Sequence, residues 1–261
     1  MANSKSVNRA VDLNCDFGEG YGSYSFGQDA ELLPYITSVN IACGFHAGDP
    51  HTMHAAVKQA LSAGAAIGAH PGLPDRLGFG RREMQVTAAE VYDFVLYQVG
   101  ALQAFVRALG GTMAHLKPHG ALYHMANRER AVSEAIVKAA LAVDDRLIMY
   151  GQSGSLLLDT AKEYGLPSAS EVFADRAYEP DGSLAPRSKQ GAVLHNADQA
   201  AAQAVAMAAQ GIAFTPEGAP VNVQADTICL HGDGPHAALF ASRIREALIK
   251  EGITLQAPGK A

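Results

Sequence analysis

Cysteine is scarce in this chain of 261 residues: Cys15, Cys43 and Cys229 are an odd number with no CxxC spacing, so no disulfide framework is expected. No apolar run approaches the roughly 20 residues a membrane helix needs. The opening segment, MANSKSVNRA, lacks the apolar core of a signal peptide. Basic residues are in deficit, with 20 Lys and Arg against 26 Asp and Glu, and the net charge of −6 argues against nucleic acid or an anionic membrane as partner. No GxxxxGK[ST] is present, which excludes a P-loop, and no HExxH marks a metalloprotease helix. No GxGxxG follows the first expected strand, so a doubly wound dinucleotide fold lacks its usual marker. These absences leave a cytoplasmic globular protein as the expectation.

The chain does contain a repeated plan. In SVNIACGFHAGDP, Ser38 to Cys43 reads as a strand, Gly44 opens a polar loop, and a helix starts at Pro50 with Asp49 as its N-cap. Six more strands are expected at Val11 to Cys15, Ala66 to His70, His115 to His119, Arg146 to Tyr150, Ser170 to Ala174 and Thr227 to His231. Helices are expected over Asp29 to Ile36, Thr52 to Ala63, Asn127 to Val143, Ser155 to Tyr164, Asn196 to Ala209 and His236 to Lys250. A further long helix opens at Thr87, where Glu90 completes a capping box, and runs to Gly110-Gly111. The loop from Asp175 to Ser188 is expected to be irregular, and the tail from Ile253 to fray. Short apolar strands alternating with helices predict a parallel sheet, and at 48% hydrophobic and 18% charged residues the chain can bury a core. The expected architecture is a single α/β domain over residues 1–261, an irregular seven-stranded (β/α) barrel resembling a TIM barrel.

In such a barrel the site lies at the C-terminal ends of the strands, and residues two apart share a face. Asp12 and Asn14 are so spaced, as are His115, Lys117 and His119, then Glu171, Phe173 and Asp175, then His231 and Asp233. Polar side chains on inward faces are costly unless hydrogen-bonded or used, so four strands carrying them converge on one site. A lysine facing inward needs a carboxylate or an anion, and Asp12, Asp16, Glu19 and Asp175 are available to Lys117. The histidines His46, His70, His115, His119 and His231 suit general bases, metal ligands or hydrogen-bonded core groups. Cys43 reads as a small buried hydrophobe rather than a nucleophile. Arg81-Arg82 reads as solvated or paired, or as a clamp for a substrate carboxylate. Carboxylates near histidines suit hydrolysis, with one group activating water and another protonating a leaving amine. A divalent metal held by Asp and His would serve the same end.

Six ordered blocks resemble the LamB/YcsF family: DLNCDFGEGYG, SVNIACGFHAGDP, GAHPGLPDRLGFGRR, HLKPHGALYH, EVFADRAYEPDGSLAPRS and HGDGPHA. They run from the first strand to the last helix. The resemblance implies a barrel related to the glycoside hydrolase/deacetylase fold. It also implies ATP-dependent hydrolytic opening of 5-oxo-L-proline (pyroglutamate) to L-glutamate, together with two partner subunits, PxpB and PxpC. A lactam is a poor electrophile, and phosphorylation of its carbonyl oxygen would activate it. With no nucleotide motif here, ATP is expected on the partners. For that reaction the expected catalytic set is Asp12, Lys117, Asp175, His119 and Glu19, with Asn14, Asn40, His46, His70, His115, Arg176, His231 and Asp233 as substrate contacts. Whether a metal is bound stays open. The rival readings are a stand-alone metal-dependent deacetylase and a non-catalytic subunit that binds substrate.

Overall fold

Seven parallel strands close on themselves into a barrel. The structure, a computed structural model, describes residues 10–24, 29–230 and 237–259. Strand β1 (Ala10–Phe17) is followed by the short α1 (Asp29–Leu32), then β2 (Ser38–Ala42), α2 (Pro50–Ala63), β3 (Ala66–His70) and α3 (Ala88–Ala108). Strand β4 (Met113–Leu116) leads into α4 (Gly120–Ala126) and α5 (Arg130–Val143), and β5 (Ile148–Gln152) into α6 (Leu156–Glu163). After β6 (Ser168–Phe173) come α7 (Ala197–Gln210), the hairpin of β7 (Ile212–Phe214) and β8 (Pro220–Asn222), then β9 (Thr227–Leu230), α8 (Ala237–Lys250) and β10 (Thr254–Leu255). The barrel order is β1-β2-β3-β4-β5-β6-β9, and β9 pairs back onto β1 through Asp12↔Thr227 and Asn14↔Cys229. The irregular seven-stranded barrel expected from the sequence is the fold observed. Among the described residues no helix is long and apolar enough to cross a membrane.

Local chemistry explains the boundaries. Asp49 caps α2 by accepting from the His51 and Thr52 amides at 2.9 Å each. Thr87 and Glu90 form the expected capping box at the start of α3. Three features depart from expectation. The helix expected from Asn127 starts at Arg130, and a separate short helix not expected from the sequence, α4, precedes it from Gly120, left-handed at φ 52°, where a glycine reads as a break. Strand β4 ends at Leu116, before Pro118, whose ring nitrogen donates nothing to a ladder. The tail does not simply fray: Thr254 and Leu255 pair with Ala10 and Val11, a two-residue strand too short to leave a periodic signal.

The apolar core lies between barrel and helices. Leu13, Phe17, Ile41, Ile67, Leu116, Val172 and Ile228 point outward into it. The barrel interior is polar instead. Its lowest layer is Asp12, whose carboxylate accepts from Thr37 Oγ1 at 2.5 Å, Ser38 Oγ at 2.7 Å, Thr227 Oγ1 at 2.7 Å and the Tyr150 hydroxyl at 3.0 Å. Above it Asn14, Asn40, His115 and Glu171 form a second layer, all fully buried. Asn14 Nδ2 donates to Glu171 at 3.1 Å, Asn40 Nδ2 donates to Asn14 Oδ1 at 2.8 Å, and His115 Nε2 meets Asn40 Oδ1 at 2.8 Å. The His115 ring stacks on Tyr150 with centroids 4.0 Å apart.

Gly68 makes room for that stack, since a Cβ there would lie 2.0 Å from His115 Nε2. Gly68→Ala is therefore expected to cost about 1–3 kcal/mol or more by overpacking. Gly100, inside α3, has open space where a methyl group would lie. Gly100→Ala is expected to gain roughly 0.5–1 kcal/mol from helix propensity. Urea denaturation of both variants checks the pair, and equal effects of the same sign would contradict this packing.

Candidate active site

The third layer opens to solvent at the C-terminal ends of the strands. Asp16 ends the inward face of β1, His70 ends β3, and Lys117 and His119 follow β4. With Phe173 and Cys229 they line a cavity of about 240 Å³. Larger hollows lie elsewhere, around Leu33 and Arg245 and around Arg107 and Asp144, but neither gathers a histidine–carboxylate cluster.

Lys117 sits at the cavity floor, 4% exposed. Its Nζ is 2.7 Å from Glu171 Oε1 and 3.2 Å each from Asp16 Oδ1, Asn14 Oδ1 and Cys229 Sγ. Burial alone would favour the neutral amine. The carboxylates of Asp16 and Glu171 overcome it and hold Lys117 well above its usual range, as an ammonium. Burial likewise would raise Asp16, but His70 and Lys117 beside it keep its carboxyl well below the usual value. Glu171 is spent on structure: its second oxygen accepts from the Tyr123 hydroxyl at 2.9 Å.

Beside Asp16 stand three histidines and Glu19. Donor atoms of Glu19, His46, His70 and His119 all lie within 4.8 Å of one another, so the group could hold a metal ion. The ring orientations sharpen this. His70 Nδ1 faces the Lys117 carbonyl at 2.8 Å, and His119 Nε2 faces the Phe79 carbonyl at 2.8 Å. A carbonyl only accepts, so both of these nitrogens carry the proton. The remaining nitrogens, His70 Nε2 and His119 Nδ1, face each other across 2.9 Å. Burial and the neighbouring His70 hold His119 down at about 3, and burial and His119 hold His46 well below its usual value. Two nitrogens so placed need a proton or a metal ion between them. Asp16 Oδ2 at 3.2 Å from His70 Nε2 and Glu19 Oε1 at 3.3 Å from His46 Nε2 face the same point. Imidazole and carboxylate donors suit zinc and similar divalent ions.

The loop after β3 holds the cluster. Phe79 adopts φ 54°, a rare conformation for a residue with a side chain, and presents its carbonyl to His119. His46 and His119 stack at 3.7 Å, and a Cβ on Gly80 would lie 2.7 Å from the His46 Cβ. Arg82 is paired bidentately with Asp75, which pins the loop.

The expected residues thus fall at different depths. His70, Lys117, His119 and Arg176 line the cavity, and Glu19 and His46 complete the cluster beside it. Asn14, Asn40 and His115 lie one layer down, and Asp12 lies lower still, outside the cavity lining. Asp12, expected in the catalytic set, has its oxygens taken by four hydroxyls, and burial raises its pKa. Asp175 is half-buried in the segment after β6 and is not among the cavity-lining residues. His231 and Asp233 lie outside the described residues. Burial pushes the Cys43 thiol up to about 12, in keeping with a small buried hydrophobe. Sequence reading passed over Asp16 and Arg187 as site residues; for Asp16 the signal was available, since it follows Asn14 by two on the same face.

The LamB/YcsF family model matches residues 11–261. The chain is 53% identical over 249 residues to the A subunit of 5-oxoprolinase from Brevibacillus brevis, spanning 95% of this chain and 98% of that protein. It is 52% identical over 251 residues to the A subunit of 5-oxoprolinase from Bordetella pertussis, spanning 96% and 100%. Among solved structures, a lactam utilization protein from Thermus thermophilus superposes with a TM-score of 0.91 at 44% identity, covering 95% of this chain and 99% of that one.

Burial, with Lys117 nearby, pushes His115 from 6.5 to about 3. The unfolded chain therefore takes up this proton as the pH falls below about 6.5, while the folded one resists until about 3. Stability is constant above that window and falls through it, by about 1.4 kcal/mol per pH unit for one such histidine. His115→Gln keeps a donor for Asn40 and should flatten the acid limb of a stability–pH curve measured by urea denaturation. An unchanged slope would contradict a buried neutral His115.

Proposed function

Because the chain belongs to the LamB/YcsF family, we propose that it is the ring-opening component of an ATP-dependent 5-oxoprolinase. The substrate is 5-oxo-L-proline, the product L-glutamate, and the partners are the PxpB and PxpC subunits. Two relatives named as 5-oxoprolinase subunits support the reading, since a subunit name implies partners. The observation that carries it is the ionised Asp16 at the cavity floor, between the Lys117 ammonium and the His70 ring. ATP belongs on the partners: the chain has no P-loop, and about 240 Å³ is small beside the roughly 300–1,000 Å³ of usual ligand sites. The reaction is then cytoplasmic, where ATP is supplied.

The chemistry follows from these groups. A partner transfers the terminal phosphoryl group of ATP to the lactam carbonyl oxygen, and water adds to the activated carbon. Asp16 takes the proton of that water and passes it to the ring nitrogen as the C–N bond breaks, which leaves the former ring carbonyl as an acyl phosphate; a second water then displaces inorganic phosphate to give L-glutamate. Lys117 is held too basic to give up its proton, so it serves as fixed positive charge beside the developing negative oxygen. Glu19, His46, His70 and His119 would hold a divalent ion, which would polarise a substrate oxygen or acidify water. Asp175, His231 and Asp233 remain candidates on sequence grounds. The same donor set favours one second reading, a stand-alone metal-dependent deacetylase.

Reconstitution separates the two. Glutamate release from 5-oxoproline should need this chain, both partners and ATP, and should vanish when any one is omitted. Elemental analysis of the purified chain should find about one divalent transition metal per chain, lost in His119→Ala. Release of acetate from acetylated sugars by the chain alone, without ATP, would instead establish the deacetylase.

A further inference from the structure

Four residues stand in one row across the barrel. Asp16 of β1 pairs with Asn40 of β2, Asn40 with Gly68 of β3, and Gly68 with His115 of β4. The last pairing depends on an irregularity. Ile67 pairs with Met113 and the next residue, Gly68, with His115, so Ala114 is the extra residue of a bulge. The bulge brings the inward-facing His115 level with Gly68, and re-aiming a side chain is what such bulges do beside active sites. Neighbouring strands are about 4.8 Å apart, so β4 lies roughly 10 Å from β2. His115 nonetheless meets Asn40, its Nε2 2.8 Å from Asn40 Oδ1, because Gly68 leaves β3 bare between them. A Cβ on Gly68 would lie 2.0 Å from that same nitrogen.

The direction of each hydrogen bond in the row is fixed. The Lys117 ammonium donates to Asn14 Oδ1 at 3.2 Å, which makes that atom an acceptor. Asn40 must face it with its amide nitrogen, whose two hydrogens go to Asn14 Oδ1 at 2.8 Å and Asp16 Oδ1 at 3.0 Å. Asn40 Oδ1 is left for His115, and since it only accepts, His115 carries its proton on Nε2. His115 Nδ1 is buried with no hydrogen-bond partner among the described residues, so nothing competes for that proton. Asp16 Oδ1 thus receives two donors, Asn40 from β2 and Lys117 from beyond β4. A carboxylate held in this way by one oxygen cannot turn, and its Oδ2 stays towards His70. Neither Asn40 nor His115 is among the residues that line the cavity.

We propose that Asn40 and His115 are positioning residues for ring opening: His115 reaches across Gly68 to hold the Asn40 amide, and Asn40 holds Asp16 so that Oδ2, not Oδ1, exchanges protons with water and the ring nitrogen. The proposal rests on the function given above, in which Asp16 moves those protons, and deepens it. Both residues act on the substrate only through Asp16. Their contribution is geometric, since a base must keep one oxygen within hydrogen-bond reach of the proton it takes.

The test is steady-state glutamate release by the complete assembly of this chain, both partners and ATP, expressed per folded chain. His115→Met fills the space without a donor. It should lower kcat about tenfold or more and leave KM for 5-oxoproline near the parent value, because a small misplacement of a catalytic group is costly. His115→Gln, whose amide nitrogen reaches as far as Nε2, should restore kcat to near that of the parent. In an Asp16→Asn chain, His115→Met should bring no further loss, because its effect runs through Asp16. Should His115→Met fail to fold, His115→Asn, whose amide stops short of Asn40, takes its place. A merely structural His115 would lower the melting temperature and leave kcat per folded chain alone. Parental kcat in the donorless variant overturns the proposal. So does a loss that His115→Gln fails to restore, or one of equal size with and without Asp16→Asn. Full turnover by Asp16→Asn itself would instead sink the reading of Asp16, and this proposal with it, so the two failures are told apart.

Discussion

A buried ammonium organises this protein. Lys117 lies almost out of solvent at the centre of the barrel, and burying a lone charge there is strongly unfavourable. Three strands answer it: Asn14 and Asp16 from β1, Glu171 from β6 and Cys229 from β9. Removing one partner of such a buried pair typically costs about 3–5 kcal/mol, since the other charge is left without compensation. Glu171 takes the structural half of this task, tied also to Asn14 and Tyr123. That leaves Asp16, whose side chain is 23% exposed, ionised and lining the cavity.

The polar layers beneath have the same logic. A TIM barrel usually fills its interior with branched aliphatic residues. Here Asp12, Asn14, Asn40, His115 and Glu171 fill it, each buried and each with a named hydrogen-bond partner. The network is rigid because it ties the layers together: Asn14 donates down to Thr227, and Asn40 donates up to Asp16. Rigidity passes upward to Lys117, then to Asp16, and through the Lys117 carbonyl to the His70 ring. From there it reaches the His119 ring, whose Nδ1 faces His70 Nε2 at the mouth. The loop with Phe79 closes the arrangement from above.

Much of this was legible in the sequence, for a physical reason. Alternation along a strand is a geometric rule, so His115, Lys117 and His119 were assigned one face, and the structure puts them on it. The strand–loop–helix plan around Asp49 and Pro50 was legible because capping is local chemistry. Depth was not legible. Asp12, Asn14 and Asp16 share a face, and only the register against β2 and β9 shows which of them opens to solvent. Strand β1 also runs two residues beyond the expected end, which places Asp16 on it rather than in the loop. Arg187 lies in a long irregular segment whose path is set by tertiary contacts such as Arg176 with the Ala185 and Ala192 carbonyls. No periodic pattern encodes that path.

The central claim is that Asp16, held ionised by Lys117, performs the proton transfers of ring opening. Asp16→Asn keeps the size and an acceptor for Lys117, and Glu171 still compensates the ammonium, so the variant should fold with a lowered melting temperature. The direct measurement is glutamate release by that variant in the complete assembly with ATP. A fall of about 10²–10⁴-fold in a folded, assembled variant is predicted, the usual scale for a lost acid–base group. Turnover close to that of the parent, from a folded and assembled Asp16→Asn, would contradict it.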